Sequence, residues 1–170
     1  MEKKLSTYHK KRNFHKTKEP SGVEAVKSHN KKDNDKSLIF VVQKHHASTL
    51  HYDFRLEIDG VLKSWAVPKG PSLYPKDKRL AVPTEDHPLE YKDFQGVIPE
   101  GEYGAGTVEI WDSGKYENIN ANLSMAKAYK SGKIEICLHG KKLKGNFALI
   151  KMHGVDSKGK EKPWLLLKMK

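Results

Sequence analysis

A chain of 170 residues suits one domain and can bury an ordinary hydrophobic core, so neither a metal nor a disulfide is needed merely to fold it. One cysteine, Cys137, excludes an internal disulfide, and with no apolar run near eighteen residues and no hydrophobic start the expected location is the cytoplasm, not a membrane or the Sec route. Thirty-two Lys and Arg against 21 Asp and Glu leave +11, a balance that favours a polyanionic partner, nucleic acid first.

The chain divides near residue 37. Residues 1–37 carry eleven Lys or Arg and five Asp or Glu and have few candidates for a core, so they read as a basic arm. Leu5, Tyr8 and Arg12 share a helical face, which predicts a short helix over residues 3–11. Pro20, Gly22 and the tract NKKDNDKS (30–37) read as mobile linker.

From residue 38 to residue 170 the pattern is that of short strands rich in β-branched and aromatic residues: 38–44, 51–58, 62–68, 79–84, 106–113, 133–139, 145–152 and 164–170. Asp59-Gly60 between two of them predicts a tight hairpin. NLSMAKAYKSG predicts one helix, with Asn122 as its N-cap and Gly132 past its end. Eight strands without crossover helices exclude a doubly wound sheet and favour a mainly β fold: an antiparallel eight-stranded β-barrel with one or two short helices, closed so that no long edge is exposed. Trp65, Trp111 and Trp164 are expected in packing. The glycines of PEGEYGAGTVEIW mark a turn into a strand, since no helix or Lys-Ser pair follows to cradle phosphate.

In QKHHASTLHYDFRLE (43–57), His51, Asp53, Arg55 and Glu57 lie on one face of a strand while Tyr52, Phe54, Leu56 and Ile58 lie on the other. A solvated outer face would give the same alternation. His51 and Asp53, however, stand about 7 Å apart along the backbone, and the preceding strand ends in His45. Two imidazoles and a carboxylate suit Mn²⁺, Fe²⁺ or Zn²⁺. Arg55 beside them suits phosphate. His-x-Asp on a barrel strand also fits a 2-His-1-carboxylate Fe(II) oxygenase, with His139 or His153 as its second histidine. A non-catalytic nucleic-acid end-binding module is the third reading. His46, His139 and His153 otherwise read as surface or strand-end residues, His9, His15 and His29 as solvated arm residues, and Cys137 as inert.

FVVQKHHASTLHYDFRLEIDGVLKSWAVPKGPSL, KRLAVPTEDHPLEYKDFQGVIPEGEYGAGTVEIWDSG, GNFALIKM and WLLLKMK, in that order, resemble the 3′-phosphoesterase domain of bacterial DNA ligase D and its stand-alone forms. YHKKRNF and TKEP resemble the segment that precedes the family's barrel. The resemblance implies a Mn²⁺ enzyme, with Co²⁺ as an alternative, that heals 3′ ends of DNA or RNA at a primer-template. It would remove a terminal ribonucleoside and then the 3′-phosphate, leaving a 3′-hydroxyl. It further implies a monomer working with a ligase, a polymerase and Ku in trans.

Carried over by position, the metal ligands match His45, His51 and Asp53, and the phosphate-binding arginine matches Arg55. Lys69, Arg79, His87 and Tyr91 match residues of one or both activities. Arg79 is expected to complete a charge clamp, and His87 to donate a proton or anchor phosphate. Arg12 and Glu19 match functional residues of the arm. Asn13 stands where the family commonly has aspartate, a lost charge expected to weaken the diesterase step more than the monoesterase.

Overall fold

The computed structural model describes residues 2–22, 38–154, 158–159 and 162–170. The predicted linker tract NKKDNDKS and His29 lie outside the described residues. Among the described residues nine strands form one sheet: β1 (Leu38–His46), β2 (Leu50–Ile58), β3 (Val61–Val67), β4 (Arg79–His87), β5 (Gly96–Ile98), β6 (Gly106–Asn118), β7 (Lys133–His139), β8 (Lys144–Lys151) and β9 (Trp164–Lys168). Their order is β1-β2-β3-β4-β9-β8-β7-β6-β5, and a further β1–β6 pairing closes the expected eight-stranded antiparallel barrel. The three-residue β5 is an extra strand that pairs with the start of β6, too short to register in the hydrophobic pattern.

Alternation along the strands fills the barrel. Phe40, Val42, Phe54, Leu56, Trp65, Phe147, Trp164 and Leu166 point inward and form its core, and Trp111 packs against it half-buried. At the Asp59-Gly60 hairpin both residues take positive φ, 53° and 83°, as a two-residue turn between right-twisted strands demands. Helix α2 (Met125–Ser131) plugs one end through Met125 and Ala128. Its N-cap is Ser124, whose Oγ accepts from Lys127 N, and not the predicted Asn122; Asn122 instead donates its N–H to Asn120 in the preceding turn. The αL Gly132 ends the helix as expected.

β6 extends five residues past its predicted end because Ser113-Gly114 continues the strand. A Cβ at Gly114 would sit 2.2 Å from His139 O, so the backbones of β6 and β7 approach as only glycine permits. Buried Asp112 accepts from the N–H groups of Lys141, Lys142 and Leu143 and fixes the β7–β8 turn beside it.

A second apolar cluster lies outside the barrel wall. Val41, Leu62 and Val108, outward on their strands, pack with Ile98, with Leu89 and Tyr91 of the 3₁₀ turn Leu89–Asp93, with Phe94, and with Tyr8. Tyr8 belongs to a short helix, α1 (Ser6–Lys10), that follows a 3₁₀ turn at Glu2–Leu5. Leu5, Tyr8, Thr17 and Glu19 are all buried, so residues 2–22 contribute more to packing than their composition suggested. No helix among the described residues is long and apolar enough to cross a membrane.

Candidate metal and phosphate site

The outward face of β1 and β2 supplies a candidate metal-ligand set. Antiparallel register puts His45 directly opposite His51 and Gln43 opposite Asp53, and one ligand atom each from His45, His51 and Asp53 lies within 4.8 Å of the others. His45 Nδ1 is 3.5 Å from Asp53 Oδ2, and His51 Nε2 is 3.2 Å from Asp53 Oδ1. The remaining ring nitrogens are held by backbone carbonyls, His45 Nε2 by Gly104 O at 2.7 Å and His51 Nδ1 by Thr49 O at 3.2 Å. A carbonyl can only accept, so each held nitrogen carries a proton; the other nitrogen of each ring faces Asp53, donating to it when the ring is charged and offering a lone pair when the ring is neutral. The neutral tautomer is the one that fits a divalent ion.

Asp53 is buried, which alone would disfavour its charge, but the Arg55 guanidinium and the two histidines hold its carboxyl well below the usual range. His51 is raised, chiefly by its hydrogen bond to Asp53. Both shifts follow from the cationic and donor groups already gathered around one buried carboxylate.

Arg55 is buried at 3 % exposure and fully engaged. Its Nε donates to Gln43 Oε1 at 2.7 Å, and Nη2 lies 3.5 Å from Asp53. Gln43 in turn donates to Tyr91 O and Phe94 O, tying the barrel wall to the segment that covers it.

A bulge in β4 brings in the opposing wall. Ser64 faces Thr84 but Leu62 faces His87, so β4 spends one extra residue there. Asp86 thereby turns to Lys63, while Glu85 and His87 both reach the cleft. His87 Nδ1 is 2.9 Å from Glu85 O and 3.2 Å from Arg55 Nη1; its Nε2 is 3.3 Å from Arg12 Nη2. Burial, with Arg55 and Arg12 beside it, pushes the imidazole well below its ordinary value. His87 is therefore neutral, with Nδ1–H toward the Glu85 carbonyl and Nε2 accepting from Arg12.

Residues 2–22 contribute Arg12 and Glu19. Arg12 Nε donates to Glu19 Oε2 at 3.0 Å, Nη1 donates to Glu85 Oε2 at 3.3 Å, and its guanidinium lies 4.0 Å from the Tyr8 ring centroid. Tyr91 donates its hydroxyl to Glu19 Oε2, and Thr17 donates to Oε1. Burial raises the Tyr91 phenol well above its usual range, so it remains a donor.

These groups line a cleft of about 350 Å³, which Tyr103 and Gly104 border. Of the ten site residues expected from sequence, His45, His51, Asp53, Arg55, His87, Tyr91 and Arg12 line it, and Glu19 stands behind Arg12 and Tyr91. Lys69 and Arg79 do not. Register puts both at the His51 end of the sheet, since Tyr52 faces Val67 and Ala66 faces Val82. Arg79 Nη2 lies 3.5 Å from Asp77, and its buried Nε has no partner among the described residues. Asn13 Oδ1 accepts from His15 N in a local turn and takes no part in the lining.

Sequence reasoning missed Glu85, Gln43 and Tyr103. Glu85 was masked by regular alternation, which the bulge breaks; only a TEDH run with three ionisable or polar neighbours hinted at it. His139 and His153, offered as the oxygenase's second histidine, are not in the cleft, and the second imidazole comes from His45 upstream.

Residues 43–151 match the family described as DNA Ligase D 3′-phosphoesterase domain. Over 168 residues the chain is 48% identical to the multifunctional non-homologous end joining protein LigD of Pseudomonas aeruginosa, covering 99% of this chain and 19% of that protein. It is 48% identical over 170 residues to the LigD of Mycolicibacterium smegmatis (98% and 21%) and 45% identical over 151 residues to the non-homologous end joining DNA repair protein LigD of Mycobacterium tuberculosis (89% and 19%). The chain thus spans about a fifth of the length of these curated relatives.

Proposed function

The chain belongs to the family of DNA ligase D 3′-phosphoesterase domains, and on that premise we propose that it heals 3′ ends of DNA or RNA in a Mn²⁺-dependent manner, first removing a 3′-terminal ribonucleoside and then the 3′-phosphate. The observation that carries this reading is one cleft joining a two-imidazole, one-carboxylate donor set to two buried guanidiniums. His45, His51 and Asp53 would hold the ion, which when bound supplies Lewis-acid polarisation of a phosphoryl oxygen.

The chain's own residues do the rest. Arg55 and Arg12 offset negative charge as the phosphoryl group is transferred, from positions already desolvated, so little reorganisation is needed. His87 lies between the two guanidiniums; of the two roles expected of it, proton donor or phosphate anchor, a neutral ring with both nitrogens engaged suits anchoring through Arg55 and Arg12 better than donation. Glu19 and Tyr91 fix Arg12. Lys69 and Arg79, further along the sheet, meet phosphates beyond the ion or the terminal monoester. Glu85 neutralises Arg12 and Lys11 until substrate arrives.

The fit to a nucleic-acid end rests on charge as well as the cleft, because +11 overall draws in a polyanion. A ligase, a polymerase and Ku acting in trans on the same primer-template are part of this proposal, as is action as a monomer.

Product analysis tests it. Primers ending in a ribonucleotide or a 3′-phosphate are incubated with the full chain and Mn²⁺, and both should end in 3′-hydroxyl. Binding without turnover would leave an end-binding module; turnover of an oxo-acid and oxygen in its place would revive the Fe(II) oxygenase. Arg12→Gln and Glu19→Gln should slow the ribonucleotide-ended substrate more than the 3′-phosphate, because a diester needs contacts beyond those that hold a terminal phosphate. Point changes are the better probe here than removal of the arm, since Leu5 and Tyr8 also support packing.

A further inference from the structure

A second group of ligating side chains stands on the outward face of β6 and β7. Glu117 lies directly opposite Cys137, and His139 follows two residues along on the same face. One ligand atom from each, a carboxylate oxygen, the Cys137 Sγ and a ring nitrogen, falls within 4.8 Å of the other two, and His139 Nε2 is 3.3 Å from Glu117 Oε2. The cluster is remote from the cleft. Tyr116 pairs with Leu38 at one end of β1, and His45 is seven residues further along that strand, roughly 23 Å away at strand rise.

The geometry points to a second metal site in which Glu117, Cys137 and His139 bind Zn²⁺ in preference to Mn²⁺, with a fourth position open to water. Three features favour it. A thiolate is a soft donor that selects Zn²⁺, whereas the cleft offers only nitrogen and oxygen, so the two donor sets sort different ions. Three protein ligands plus water complete a tetrahedron. Two of the ligands sit on one strand and the third on its hydrogen-bonded neighbour, so the backbone already fixes their spacing and binding has only the side chains to order. Lys115 and Lys144 flank His139 across β6 and β8, but both are exposed and their repulsion is screened by water and salt. Binding releases the Cys137 thiol proton to solvent, leaving a Zn–S bond, a Zn–N bond and a Zn–O bond across the β6–β7 pair.

Cobalt reads this site separately from the cleft, because only a sulfur ligand gives a thiolate-to-Co²⁺ charge-transfer band in the near ultraviolet. Titrating the full chain with Co²⁺ should raise that band to a plateau to which the cleft, having no sulfur, adds nothing, and Zn²⁺ in excess of both donor sets should remove it. His139→Ala and Glu117→Gln should each weaken Co²⁺ binding at this band at least about tenfold, by analogy with the loss seen when even an outer partner of a metal ligand is removed. Cys137→Ser should abolish the band while 3′-end processing with Mn²⁺ is unchanged. Absence of the band in the parent overturns the site, as does a band that His139→Ala and Glu117→Gln leave at full affinity, which would mean a lone thiol binding without its neighbours.

Discussion

The barrel has two outer walls built by the same rule and put to opposite uses. On β1 and β2 the outward residues include Gln43, His45, His51, Asp53 and Arg55; on β6 and β7 they include Lys115, Glu117, Cys137 and His139. Composition hardly separates them. What separates them is cover: residues 2–22 and 89–98 lie over the first wall, so the Asp53 side chain is 8 % exposed, while among the described residues nothing comparable covers the second and the Glu117 side chain is 72 % exposed. Desolvation makes charges interact strongly and demands that each be paired, which is why the first wall is a network and the second a set of neighbours in water.

The largest expected effect lies in the covered wall. His51→Ala and Asp53→Ala should each cut release of 3′-phosphate with Mn²⁺ by at least about 10³-fold, the several kcal/mol that a Lewis acid supplies, with the circular dichroism of the barrel unchanged. Activity within tenfold of the parent would relocate the ion. Next comes the cover itself. Tyr8 is fully buried and donates to Pro20 O, so Tyr8→Ala should lower stability by about 3 to 5 kcal/mol in denaturant titration; a loss under about 1 kcal/mol would mean that the segment rests on the barrel without supporting it.

Smaller again is the pH response of His87. It is neutral in the folded chain but takes a proton near its ordinary 6.5 once unfolded, so acid feeds the unfolded state. Its contribution is complete above that pH and falls below it by up to about 1.4 kcal/mol per pH unit. His51, raised by Asp53, acts in the opposite sense, so the informative quantity is the parent minus His87→Gln between pH 7.5 and 5.5. Parallel curves would mean that the folded ring takes up its proton at the same pH as the unfolded one. The smallest effect belongs to the bare wall, where Glu117→Gln without added metal should shift stability by no more than about 0.5 kcal/mol. A shift of 2 kcal/mol would show that this wall, too, is a network.

The barrel was readable because period-two alternation reports directly which residues face inward, and Phe54, Leu56 and Ile58 do so without exception. His45, His51 and Asp53 were readable for the same reason, since two adjacent strands and a short loop leave only one register. What alternation cannot reveal is what packs on the outside. Tyr8 and Leu5 looked like isolated apolar residues in a basic arm because their partners, Val41, Leu62 and Leu89, come from distant parts of the chain. Glu85 was hidden by a bulge, which shifts the pattern by one residue with no signal in composition. Ser124 displaced Asn122 as cap because both residue types can serve and only the local turn decides.

Barrel closure sets an order of assembly. The β1–β2 hairpin that carries the three candidate metal ligands is joined by a three-residue loop and can form almost as soon as both strands exist. Its other edge must wait for β6, since Val41 pairs with Ser113, and β4 must wait for β9, since Ala81 pairs with Trp164. Such distant pairings make folding slow, on the order of milliseconds to seconds. In that interval β1 and β4 present open edges to any other chain nearby. An early ion captured by the hairpin would therefore act on a folding intermediate, biasing its register before the wall behind it is complete.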